Sequence, residues 1–186
     1  MPQTSSESTM KGYHGCDSAN VASIKANNFK TSTGEDHWLG EGAYFFGVGI
    51  SNPVEDAKQW AIAAAWNNER FQKVYRQYSV LEAAITANNP FNMTTDAGKA
   101  KVNAARRLVA RREPYVRGCN DSVLLRFLAG EYDFDVLIQD FYIQFSAQRR
   151  KGAWSRMPNA RVICVRRPTT SVDKSTIRVI STGLVP

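Results

Sequence analysis

With 186 residues, 43% hydrophobic and 22% charged, the chain has the composition of one ordinary globular domain, not of a fibrous or disordered polymer, and is long enough to bury a core unaided. Cys16, Cys119 and Cys164 are odd in number, widely spaced and without a Cys-x-x-Cys pair, which argues against a disulfide framework or a zinc ribbon. No stretch approaches the roughly 18 apolar residues of a membrane span and the opening residues lack an apolar segment, so a cytoplasmic location is expected, while the net charge of +7 favours phosphate-rich or acidic partners.

Residues 1–10 are polar and rich in Ser and Thr, which predicts a flexible lead-in and a single domain over residues 11–186. From Ser18 to Asn28 the apolar positions Val21, Ala22, Ile24 and Ala26 lie between Asp17-Ser18 and an Asn-Asn pair, the pattern of a short capped helix. A loop over 30–42 leads into an aromatic strand, Ala43 to Gly47. Asn52-Pro53 opens a second helix whose Ala57, Trp60, Ala61, Ala64 and Ala65 recur at helical steps to about Glu69.

Val74 to Ile85 mixes β-branched, Tyr and Leu residues and predicts a strand that stops at Asn88-Asn89-Pro90. Thr95-Asp96 starts a third helix, Ala97 to Arg112, closed by Pro114, and Asp121 to Leu128 predicts a further short one. Phe134 to Phe145 reads as a central strand, Arg161 to Arg166 as its neighbour, and Thr176 to Ile180 as the last strand. With no internal repeat or linker, the fold class expected is α+β, one domain with a mostly antiparallel sheet flanked by helices.

The chain's two histidines fall close together. His14 stands in Tyr13-His14-Gly15-Cys16, and His37 opens the run His37-Trp38-Leu39-Gly40-Glu41-Gly42-Ala43-Tyr44-Phe45-Phe46. His37 alone reads as a loop residue, Cys16 as a buried neighbour, and Trp60 and Trp66 as helix packing. Some of the Tyr44, Phe45 and Phe46 rings must be core, as is usual for strand aromatics. Gly40-Glu41-Gly42 is neither a P-loop nor a dinucleotide fingerprint, because no Gly-Lys-Ser/Thr follows and the spacing fails. Two basic runs stand out. One holds Lys99, Lys101, Arg106, Arg107, Arg111, Arg112 and Arg117; the other, around Arg149, Arg150, Lys151 and Arg156, interleaves Phe145 and Trp154 with cations, a composition suited to single-stranded nucleic acid.

Tyr13-His14-Gly15, the Trp38 to Phe45 run and the helix with Ala57 and Trp60-Ala61 together resemble the ADP-ribosyltransferase superfamily of the diphtheria-toxin and PARP-like type, in particular its small bacterial and phage members. The likeness covers about residues 12–66 and extends more weakly to 136–168. It implies a split, mostly antiparallel sheet and NAD as substrate, with no metal. By that resemblance His14 bonds a ribose hydroxyl, the Gly15 backbone holds the nicotinamide carboxamide, Tyr44 stacks on the ring, and Gly42 and Phe45 complete the NAD site. The family's glutamate, which stabilises the oxocarbenium-like state, aligns with Gln144; Asp140, one pleat away, is the alternative, and Glu41 a further one. The acceptor would dock on Arg149, Arg150, Lys151 and Trp154. The function so implied is mono-ADP-ribosyl transfer to a macromolecule, nucleic acid ahead of protein, by a toxin or defence effector with a separately encoded antitoxin or immunity protein, weakened by the glutamine. NAD glycohydrolysis, and a non-enzymatic basic RNA-binding module, stay open beside it.

Overall fold

The computed structural model describes residues 8–33, 39–112, 124–125, 127–128, 131–146, 151–152 and 155–186. Their elements in chain order are β1 (Ser8–Asp17), α1 (Val21–Asn27), β2 (Ala43–Gly47), α2 (Pro53–Ala64), the hairpin β3 (Trp66–Asn67) and β4 (Gln72–Lys73), β5 (Gln77–Ala87), β6 (Pro90–Asn92), α3 (Asp96–Arg112), β7 (Val136–Phe141), β8 (Ala160–Val165) and β9 (Arg178–Leu184). Seven strands form one sheet in the order β6-β7-β8-β2-β1-β5-β9. Of its described pairings only β6 with β7 is parallel. The chain is therefore α+β with a mostly antiparallel sheet. Among the described residues no helix is long and apolar enough to cross a membrane.

Strand alternation divides the core in two. Phe46, Leu137, Val162 and Cys164 belong to one apolar cluster, together with Ala57 and Ala61 of α2 and Ala105 of α3. Their sequence neighbours Phe45, Val136, Ile138, Ile163 and Val165 belong to the other, with Phe29, Val172 and Ile177. Helices thus cover one face through α2 and α3, and α1 with the segment after β8 covers the opposite face.

Several boundaries differ from expectation for identifiable reasons. β1 begins at Ser8, whose residues Ser8, Thr9 and Met10 pair with Ala87, Thr86 and Ile85, so the end of the expected lead-in is ordered by backbone bonds that its polar side chains do not advertise. α2 stops at Ala64 rather than near Glu69, because the chain turns into the β3–β4 hairpin and Val74 N–H donates to the Ala65 carbonyl at 2.8 Å. Pro90 ends β5 as expected but also opens β6, an edge strand that tolerates a missing N–H. β7 is second from the edge and ends at Phe141, not Phe145: there the Asn159 side chain takes over, accepting from Ile143 N–H at 2.7 Å and donating to its carbonyl at 3.0 Å. β2 matches its expected bounds, and β9 runs four residues beyond Ile180. Of the expected helix over 121–128, residues 124–125 and 127–128 are helical and the others lie outside the described residues.

Candidate active site

β1 pairs along ten residues with β5 but meets β2 at one register pair only, Tyr13 with Phe46. Beyond that pair the two central strands diverge, and the wedge between them is a cavity of about 400 Å³. Its walls include His14, Gly15, Gly42, Tyr44 and Phe45, so the structure brings together the five residues expected to hold NAD.

His14 sits at the apex. Its ring packs edge-on to Phe29 at 5.0 Å and tilted to Phe45 at 5.7 Å, while Phe29 and Phe45 pack on each other at 4.7 Å. Nδ1 lies 2.8 Å from the Tyr44 carbonyl. A carbonyl only accepts, so Nδ1 carries the proton and Nε2 is left as an acceptor. Burial holds the imidazole below its ordinary pKa, partly offset by that bond, and the ring is neutral at pH 7. Phe45, 1% exposed, acts mainly as packing that seats the histidine.

Tyr44 faces the other way along β2. Its hydroxyl donates to the Gly40 carbonyl at 2.6 Å and accepts from Leu39 N–H at 2.9 Å, which fixes the ring as a wall of the cavity. Burial raises its pKa. The 39–42 turn is set by Gly40, at φ +77°, and is tied back by Ser32, whose N–H and hydroxyl both donate to the Gly42 carbonyl. Gly15 has a second reason to lack a side chain: a Cβ there would overlap the Ala57 carbonyl, so α2 can lie directly on β1 only at a glycine.

Compared with known proteins, the chain matches no family model and no curated protein.

None of the three proposed third residues lines this cavity. Asp140 is taken up by Arg161, with Nε to Oδ1 at 2.7 Å and Nη2 to Oδ2 at 3.0 Å, a two-point pair where β7 ends and β8 begins. Gln144 lies past the end of β7, between Ile143 and Phe145, both buried in the α2 side of the core. Glu41 is exposed and its carbonyl accepts from the Cys164 thiol at 3.8 Å. No carboxylate is among the described residues that line the cavity. The thiols nearby are inert, burial pushing Cys16 up to about 11 and Cys164 up to about 12.

Lys30, Ser32, Trp60 and Val162 also line the cavity and were not singled out as site residues from sequence. Trp60 carried a usable signal: it is the one large ring on an α2 stripe of alanines, and where alanines let a helix close on a strand, a large neighbour stands at the rim. Of the expected acceptor residues, Lys151 is exposed, and Arg149, Arg150 and Trp154 lie outside the described residues, as do His37 and Trp38.

Proposed function

We propose that the chain is a mono-ADP-ribosyltransferase that takes ADP-ribose from NAD and passes it to a macromolecule, nucleic acid before protein, as a toxin or defence effector. The observation that carries this reading is the wedge between β1 and β2, where a neutral histidine with an acceptor nitrogen, a glycine backbone and a fixed tyrosine ring face one cavity. Those groups suit NAD. Nε2 of His14 accepts a ribose hydroxyl, the Tyr44 ring offers a flat apolar wall to nicotinamide, and the Gly15 backbone lines the cavity beside the histidine.

In the reaction the bond from ribose C1′ to the nicotinamide nitrogen breaks, its electron pair returning to the ring. C1′ passes through an oxocarbenium-like state and bonds the acceptor's nucleophilic atom, which loses its proton to solvent. Holding both partners in line supplies much of the acceleration. Charge stabilisation is where this chain is poor, since no carboxylate is among the described residues that line the cavity and Asp140 is engaged with Arg161. Low turnover is the expected consequence.

The test is NAD consumption by the chain, with labelled ADP-ribose followed into RNA, DNA and lysate protein. His14→Ala and Tyr44→Ala should each lower turnover at least tenfold, and Gln144→Glu should raise it. Free ADP-ribose with no labelled macromolecule would make the protein a glycohydrolase. Absence of NAD binding and turnover in every form would leave a non-enzymatic module.

A further inference from the structure

A second cavity, about 310 Å³, opens between α3 and β7. Its polar lining comes from Lys99, Asn103 and Arg106, spaced four and three residues apart so that they share one face of α3, and from Gln139 on β7; Leu39 and Phe141 are among its apolar walls. No carboxylate is among the described lining residues. Lys99 has Asp96 at 3.6 Å, a solvent-exposed pair that holds the ammonium weakly, and Arg106 lies 3.4 Å from the Asn103 side-chain oxygen. Lys101 is turned elsewhere, over the Tyr132 ring at 5.0 Å, so the cavity collects particular cations of the helix and not its charge at large.

This cavity adjoins the first in two ways. Leu39 walls it, and the N–H of Leu39 is the group that donates to the Tyr44 hydroxyl. Gln139 is directly opposite Val162 in the β7–β8 register, and Val162 lines the wedge. Residues so paired share a face of the sheet about 5 Å apart. The two cavities are neighbours on one surface.

We infer that the α3–β7 cavity is a nucleotide subsite that seats one residue of a single-stranded acceptor beside the NAD cavity. Lys99 and Arg106 take the phosphate, Asn103 and Gln139 bond the edge of the base, and the apolar walls cover its faces. The paired amides decide for a nucleotide over an acidic peptide: a carboxylate needs cations only, whereas a base needs donors and acceptors set in an apolar slot. The inference rests on the transferase reading for its purpose but not for its test.

That test is fluorescence anisotropy with a short labelled single-stranded RNA, without NAD, across a salt series. Lys99→Gln and Arg106→Gln should each weaken binding roughly three- to tenfold and reduce the salt slope by about 0.7 per lost phosphate contact. Gln139→Leu should alter base preference and leave the slope unchanged. Lys99→Glu, at an exposed position, serves if the arginine variant does not fold. Unchanged affinity and slope in the Lys99→Gln, Arg106→Gln double variant would overturn the subsite, as would no RNA binding by a chain that binds a labelled acidic peptide. Salt slope lost without NAD turnover would keep the subsite and sink the transferase; labelled RNA with an unchanged slope would do the reverse.

Discussion

His14 makes the stability of the fold depend on pH in a defined direction. Its folded pKa lies below the ordinary 6.5, so between the two values the unfolded chain is protonated and the folded one is not. The stability that the neutral ring contributes is complete above about 6.5 and falls as pH drops below it, by up to about 1.4 kcal/mol per pH unit until the folded group titrates. Urea melts of the chain and of His14→Gln between pH 5 and 8 should show the slope in the first and its reduction in the second. The thiols give a separate check: Cys16 and Cys164, buried and raised to about 11 and about 12, should resist iodoacetamide at pH 7.5 in the native protein and react once it is denatured, read by peptide mass spectrometry. At this scale the sequence was informative about residue types. It could not say which ring of the Tyr44-Phe45-Phe46 run would be wall and which packing, because alternation assigns faces only once a strand's partners are known.

Two contacts between elements carry predictions of their own. Gly15→Ala puts a methyl group into the Ala57 carbonyl where α2 rests on β1, and overpacking of that kind should cost about 1–3 kcal/mol by denaturant titration, moving Trp60 with the helix. The Asp140–Arg161 pair joins β7 to β8, and Arg161 also donates to the Val48 carbonyl at 3.3 Å. Asp140→Asn should therefore lose about 1–3 kcal/mol of stability, and a double-mutant cycle with Arg161→Met should return a coupling energy above about 0.5 kcal/mol. A catalytic Asp140 would instead lose NAD turnover while keeping its stability. Helices and β2 were legible because caps and periodicity are local signals. β1 was not recognised as a strand, for Gly12 and Gly15 break its pattern and its identity comes from pairing with β5, some seventy positions later. The strand expected over Phe134 to Phe145 exceeds β7 by two residues at its start and four at its end, where nothing in Tyr142 to Phe145 reveals that Asn159 will replace the strand's backbone partner.

For the molecule as a whole, composition and the order of elements sufficed for the α+β class and the antiparallel sheet. The wedge was within reach only through the resemblance, because a gap between strands is a property of what fails to pair. The proposed third position was legible least: alignment with the family's glutamate marks Gln144 and strand alternation marks Asp140, yet where β7 stops and what Arg161 does decide how each is placed.

The central place of β2 also sets when the wedge can be completed during synthesis. β2 is flanked by β1, made early, and by β8, whose Val162 is part of the cavity wall. Until Val165 has left the ribosome, β2 lacks one of its two neighbours and the cavity lacks that wall. A nascent chain thus lacks a complete cavity for most of its translation, and a co-translational binder that captured β8 would keep the cavity open.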